Sequence, residues 1–170
     1  MTFTALPIDR SWSLFAALRD AVLDAPRIRQ QGRSFFEAEI EVVQSISHPG
    51  GRLPEHAALE LDVRPSRGDR ITRVRLLTLP LEEAPEAREA ADAGVAAIGG
   101  AGFDALMAKA TRLWQVDAEL VSGPDARAPL VVAGVLASVL LAPIVPPGGG
   151  TIFGVKGARV RLESLRWPES

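Results

Sequence analysis

The chain contains no cysteine among its 170 residues, and this absence removes several classes of site at once. Without thiols it cannot form a disulfide framework, a thiolate metal site or a cysteine nucleophile. Tyrosine and asparagine are also absent, and the only lysines are Lys109 and Lys156. Catalysis would therefore have to use two histidines, two lysines, hydroxyl groups and carboxylates.

The sequence also lacks an excess of charge of either sign. Nineteen basic and twenty-one acidic side chains leave a formal net charge of -2, so no overall field attracts the protein to nucleic acids or anionic membranes. Residues 1–19 lack the basic start, apolar stretch and small-residue cleavage site of a secretory signal. The scarcity of tyrosine, asparagine and lysine, whose codons are AT-rich, is typical of a GC-rich genome. We therefore expect a cytoplasmic protein of a bacterial type of cell.

Length and composition are those of an ordinary globular protein. Hydrophobic residues make up 47% of the chain and charged residues 24%, which is enough apolar material for a real core at this size. The sequence shows no internal repeat, low-complexity tract or linker that would divide it. We therefore expect a single domain that covers residues 1–170.

Strict alternation of apolar and charged side chains predicts several strands. Residues 36–42 alternate between apolar and glutamate positions, and the same period recurs over residues 59–64 and 70–79, with turn residues between them. The first two of these strands carry acidic outward side chains and the third carries arginines, so cross-strand ion pairs are expected on the exposed face. Residues 158–163 alternate in the same way and predict a final strand.

Helical spacing of apolar residues predicts three amphipathic helices. The first covers about residues 9–26, the second residues 82–98, and the third runs from Phe103 to an end between residues 115 and 121. Together these elements predict an α+β fold. We expect a mostly antiparallel sheet of four to six strands with two or three helices packed on one face.

The longest uncharged stretch runs from Ala128 to Val155. Within it, Pro129 and Pro143 bracket residues 130–142, which as a helix would be about 20 Å long and too short for a hydrocarbon core of roughly 30 Å. A segment that is apolar on every side is typical of the protein interior. We therefore expect it to be buried near the centre of the packing, as either a helix or a strand.

Two sets of residues are candidates for contact with a ligand or partner. The glycines that precede Lys156 resemble a phosphate-binding loop, but that lysine is not followed by serine or threonine. We therefore expect a flexible turn followed by a tight hairpin at Lys156–Gly157, or a movable flap. The two histidines are eight residues apart and show no metal-ligand spacing. The candidate residues are His48, His56, Gly148, Gly149, Gly150 and Lys156.

No convergent catalytic, metal-binding or cofactor-binding set is recognisable in the sequence. We therefore expect a non-enzymatic binding, assembly or accessory protein that needs no cofactor and that self-associates into a small homo-oligomer or binds a protein partner. The alternative is a protein, enzymatic or not, that binds a small molecule or lipid in an apolar pocket near Gly148–Gly150. His48, His56 or the strand glutamates would then supply the polar edge of that pocket.

Overall fold

The computed structural model describes residues 4–17, 23–43 and 53–165. Its strands are β1 (Ser11–Ala16), β2 (Ala38–Val42), β3 (Ala57–Pro65), β4 (Thr72–Pro80), β5 (Arg112–Asp117) and β6 (Ile144–Val145). They form one open sheet in the order β2-β3-β4-β5-β1-β6, and every neighbouring pair is antiparallel.

The described residues also form five α-helices, which exceeds the two or three expected. They are α1 (Ala25–Phe36), α2 (Pro85–Ala97), α3 (Phe103–Lys109), α4 (Ala128–Leu140) and α5 (Val155–Glu163). The α+β class with an antiparallel sheet is thus confirmed. Among the described residues, no helix combines the length and apolarity that are needed to cross a membrane.

One side of the sheet, the front face, carries the apolar side chains of the alternating strands. Leu61 lies opposite Val74, and Leu76 lies opposite Val116, so these four side chains project to the same side. They form one core cluster with buried residues of α1, α4 and α5. The predicted inward positions of β3 and β4 are therefore confirmed.

Helix α4 lies at the centre of this front-face core. Eleven of its thirteen residues are buried, so the expectation of a buried segment near residues 130–142 is confirmed and the segment is a helix. Gly134 allows its close approach to α1, since a Cβ at this position would lie 2.7 Å from Cε1 of Phe36 and 2.8 Å from Cζ. The α1–α4 contact therefore depends on the missing side chain.

The opposite side of the sheet, the back face, is covered over only part of its area. Phe15, Leu79 and Leu113 form a second core cluster with buried residues of α2 and α3. Helices therefore lie on both faces of the sheet, which corrects the expectation that they lie on one. The single-sided arrangement was inferred from the charged outward positions of β2 to β4, which do not represent the remaining strands.

The helix predicted over residues 9–26 is wrong in its first half. A 3₁₀ turn at Ile8–Arg10 leads into β1, and the helix begins only at Ala25, where the Asp24 carboxylate accepts a hydrogen bond from the Arg27 N–H. Nearly every residue of β1 is buried, because both of its faces are covered. A strand covered on both faces loses its alternation of apolar and polar residues. Residues 18–22 lie outside the described part of the chain.

Two further predictions fail for related reasons. Helix α3 ends at Lys109, and Trp114 lies in β5, a strand whose six residues are all buried and so show no alternation. Residues 158–163 belong to α5 and are not a strand. Ala158 and Leu162 are its buried positions, whereas Val160 is 56% exposed, so the spacing that matters is i, i+4.

We predict that Gly134→Ala lowers the free energy of unfolding by a net of about 1–2 kcal/mol, because overpacking against Phe36 outweighs the gain in helix propensity. Gly68→Ala is the matched control, since its new Cβ would make an ordinary 3.4 Å contact with Pro65. Urea denaturation of the three proteins measures the difference. A Gly134→Ala protein as stable as the wild type would contradict close α1–α4 packing.

Candidate binding groove on the back face

Residues 4–8, here named the crossing segment, lie across the back face. Helix α2, which includes Ala87, and the preceding 3₁₀ turn, which includes Glu83, lie on one side of the segment. On the other side stand back-face residues of β3 and β4, including Glu60 and Arg75. The crossing segment therefore fills a groove between a helix and the part of the sheet that no helix covers.

Gln115 of β5 holds the crossing segment through its main chain. Its side chain is fully buried. The Leu6 N–H donates to Oε1 of Gln115 over 2.7 Å, and Nε2 of Gln115 donates to the Leu6 carbonyl over 3.0 Å. One amide side chain thus satisfies both main-chain polar groups of one residue, as a neighbouring strand would.

The same amide is supported by two buried hydroxyl groups of β1. Nε2 of Gln115 lies 3.2 Å from Oγ of Ser11 and 3.2 Å from Oγ of Ser13, and the two hydroxyl groups lie 3.1 Å from each other. Ser11 also donates to the Pro7 carbonyl over 3.1 Å. Because every partner is buried or partly buried, the network fixes the orientation of the amide.

An ion pair holds the end of the segment where it joins β1. The Asp117 carboxylate, which is 4% exposed, accepts hydrogen bonds from Nε and Nη2 of Arg10 over 3.1 and 2.9 Å. These bonds and the attraction of Asp117 raise the pKa of Arg10, and the nearby Glu119 adds to the effect. A two-point contact of this kind sets direction as well as distance.

Two clefts flank the crossing segment. The first, named the sheet-side cleft, has a volume of about 420 Å³ and is lined by Thr4, Leu6, Ala58, Leu59, Glu60, Arg75 and Leu77. The second, named the helix-side cleft, has a volume of about 590 Å³ and is lined by residues 4–8 and 83–87. Leu6 lines both clefts, so the groove has unfilled space on either side of the segment.

The predicted cross-strand ion pairs are present beside the sheet-side cleft. Arg73 makes a two-point contact with the Asp62 carboxylate over 2.9 and 3.3 Å and lies 3.7 Å from Oε2 of Glu60. These acidic neighbours raise the pKa of Arg73, chiefly through the Asp62 hydrogen bond. Arg75 is exposed, and within the described residues it has no ion-pair or hydrogen-bond partner.

Of the two candidate histidines, His56 lies in the described part of the chain. Nε2 of His56 lies 2.9 Å from Oε1 of Glu83, and the His56 side chain is only 7% exposed. This contact ties the start of β3 to the turn before α2. His48 lies outside the described residues. Among the described residues, no group of three or more histidine, aspartate or glutamate side chains could hold a metal ion.

The three glycines form a turn that supports the crossing segment. Gly148, Gly149 and Gly150 have φ angles of 86, 70 and 87°, which favour glycine at each position. The Gly148 N–H donates to the Ile8 carbonyl over 3.1 Å, and the Gly149 N–H donates to the Pro146 carbonyl over 2.9 Å. These donors are therefore already used within the fold, which argues against a phosphate loop.

Lys156 is exposed in the first turn of α5. A helix therefore follows the glycine turn, and the tight hairpin expected at Lys156–Gly157 is wrong. Since α5 begins at Val155 and Phe153 pairs with Ile144 of β6, the chain turns back toward the front face after the glycines. That Lys156 and the three glycines contact a ligand or partner stays a prediction.

A further buried polar group lies where the chain enters α4. Asp125 is 4% exposed, and its Oδ1 accepts a hydrogen bond from the Arg127 N–H over 2.9 Å. Its other carboxylate oxygen, Oδ2, has no hydrogen-bond partner among the described residues. Burial raises the pKa of Asp125, although the Arg127 N–H and charge oppose this. Burial also lowers the pKa of Arg127.

The residues that build the groove were not found by sequence reasoning. The available signal was Gln115, a polar residue between Trp114 and Val116 in an otherwise apolar run. Its partner Leu6 is 109 residues away in the chain, so only the fold brings them together. Arg10 and Asp117 are separated by 107 residues and were missed for the same reason.

Comparison of the chain with family models, curated proteins and solved structures finds no match. Fold and site together define an α+β protein with an open antiparallel sheet, in which a groove on one face holds residues 4–8 of the same chain. Function must be inferred from the contacts of that groove.

We predict that Gln115→Leu releases the crossing segment, because the partly buried Leu6 N–H and carbonyl would have no partners if the segment stayed in the groove. The free energy of unfolding should fall by about 1–3 kcal/mol. Amide hydrogen exchange at Leu6 should become faster by tenfold or more. Gln30→Leu is the matched control, since Gln30 is exposed on α1. Unchanged protection of Leu6 in Gln115→Leu would contradict the role given to this amide.

The raised pKa of Asp125 predicts a pH effect of definite sign. Because the native state holds this proton to a higher pH than the unfolded state does, ionisation costs the native state more. The stability of the wild type relative to Asp125→Asn should therefore fall as the pH rises above the ordinary value of 3.8. It should become constant above the native pKa. Denaturation curves between pH 3.5 and 7 measure this, with Asp69→Asn as an exposed control. A difference that grows in the opposite direction would contradict the burial effect.

Proposed function

We propose that this chain is a non-enzymatic binding protein of the bacterial type of cytosol, and that its back-face groove takes up an extended polypeptide segment. The observation that carries this proposal is the two-point hydrogen bond between the buried Gln115 amide and the main chain of Leu6. Recognition through N–H and carbonyl groups does not depend on side-chain identity. The crossing segment therefore occupies the position that the main chain of a partner would take.

The two clefts support a polypeptide as the ligand. Successive side chains of an extended segment project to opposite sides, and the groove offers space on both sides of Leu6. Side chains of a partner would enter the sheet-side and helix-side clefts while its main chain bonds to Gln115. This is the division between affinity and specificity that peptide-binding sheets use.

The chemistry of the groove favours binding over catalysis. Gln115 does not titrate, Ser11 and Ser13 are hydrogen-bonded to each other and to its amide, and Asp117 is paired with Arg10. A catalytic nucleophile needs an adjacent base within hydrogen-bond reach. The groove supplies hydrogen bonds that position a main chain instead.

Two sources of polypeptide fit this proposal. One is an extended segment of a partner protein, and the other is residues 4–8 of a second copy of this chain. Exchange between copies would restore the hydrogen bonds between Gln115 and Leu6 and would produce the small homo-oligomer that we expect from the sequence. In either case the attached segment competes with the partner, because its effective concentration is in the millimolar range.

We predict that a labelled peptide with the sequence of residues 1–10 binds to a Leu6→Asp protein at least tenfold more tightly than to the wild type. The substitution weakens the attached competitor and leaves the groove unchanged. Fluorescence anisotropy measures the affinity, and light scattering distinguishes monomers from exchanged dimers. Leu6→Gly is a second host that weakens the attached segment without adding charge.

Two controls make the test specific for main-chain recognition. A peptide that is N-methylated at Leu6 lacks the N–H that donates to Gln115, so its affinity should fall by tenfold or more. Adding Gln115→Leu to the Leu6→Asp host should abolish binding of the unmodified peptide. Folded hosts that bind neither peptide, or that bind both equally, would overturn the proposal.

A further inference from the structure

The sheet-side cleft has the features of a small-ligand site in its own right. Its volume of about 420 Å³ falls in the lower part of the range for ligand pockets. Leu77, Ala58 and Leu6 give it apolar walls, and Leu77 is only 6% exposed. Its charged residues are Glu60 and Arg75, so apolar surface and a few polar groups converge in one place.

Arg75 and Arg73 differ in whether their guanidinium groups already contact carboxylates. Both project from β4 to the back face, where they lie opposite Glu60 and Asp62 of β3. The guanidinium of Arg73 is occupied by Asp62 and lies within 3.7 Å of Glu60. Arg75 has no such partner among the described residues. Its five N–H donors are therefore available at the mouth of the cleft.

Glu60 does not make the cleft repel an anion. Its carboxylate lies 3.7 Å from Arg73, whose guanidinium also contacts Asp62 at 2.9 Å. With Arg75, which lies opposite Glu60, the two acidic and two basic side chains carry no net charge. Of the two arginines on the back face of β4, only Arg75 contacts no carboxylate among the described residues. A guanidinium fits a carboxylate through two parallel hydrogen bonds.

We propose that the sheet-side cleft binds a small amphiphilic monocarboxylate. The carboxylate is held by Arg75, and the apolar tail lies against Leu77, Ala58 and Leu6. Binding at this cleft is a property separate from the uptake of polypeptide. Because Thr4 and Leu6 form one wall, a bound ligand also stabilises the attached crossing segment and opposes its replacement, and this coupling rests on the proposed function.

The test compares octanoate with octanol and octylamine, which have the same tail and different head groups. Titration of the full chain, followed by NMR of its amide groups, should show saturable octanoate binding with shifts at Ala58, Arg75 and Leu77. Octanol and octylamine should bind at least tenfold more weakly. Equal binding of octanol, or shifts that lie elsewhere, would overturn the site.

Matched variants test the role of the arginine. Arg75→Gln should weaken octanoate binding tenfold or more, whereas Arg67→Gln, on the exposed turn of the same hairpin, should leave it unchanged. Ala58→Leu should also weaken binding by filling the cleft. Octanoate affinity that survives Arg75→Gln would overturn the assignment.

The coupling has its own readout. Saturating octanoate should lower the affinity of the wild-type groove for the residue 1–10 peptide, because octanoate stabilises the attached segment through its Leu6. The decrease should be smaller for the Leu6→Asp protein, whose attached segment lacks that leucine. Failure of peptide binding would refute the proposed function and leave the octanoate site standing. Failure of octanoate binding would refute the site and leave the peptide groove standing.

Discussion

Helix α4 has no charged side chain between Ala128 and Leu140, so it is stable only where other elements cover it on every side. The front face of the sheet covers one side, and α1 and α5 cover others. Each fully buried leucine or valine contributes about 1.5–3 kcal/mol relative to exposure. The close α1–α4 approach at Gly134 follows from this demand for cover. Because helices cover the front face in this way, the exposed surface of the sheet lies on the back face.

The back face is divided into three strips by the side chains that its strands present. An apolar strip around Phe15 and Leu113 is covered by α2 and α3. A charged strip on β3 and β4 is not covered by a helix, because exposed ion pairs can remain in water with little loss of stability. Between them, the buried amide of Gln115 would leave polar groups unsatisfied beneath a helix, whose own N–H and carbonyl groups are already paired. An extended segment has free main-chain groups, which explains why a non-helical piece of chain lies there.

Sequence reasoning succeeded where one face of an element was polar. Alternation located β2, β3 and β4 and the ion pair between Asp62 and Arg73. It failed for β1 and β5, because burial on both faces removes the alternation and leaves apolar runs that also fit a helix. Candidate residues were chosen among histidines and glycines because local spacing can be read along the chain. The groove depends on contacts over more than a hundred residues, and local spacing carries no information about these.

The composition of the groove limits what can occupy it. If an apolar tail replaced the crossing segment, the Gln115 amide would lose its partners at Leu6 and remain buried, at a cost of about 1–3 kcal/mol for each unsatisfied group. A polypeptide restores those hydrogen bonds whatever its side chains are. The sheet-side cleft has the opposite character, since most of its lining is apolar and its Arg75 has no ion-pair or hydrogen-bond partner among the described residues. Under the two proposals, the main chain of a polypeptide lies over Gln115 and an amphiphilic tail lies beside it.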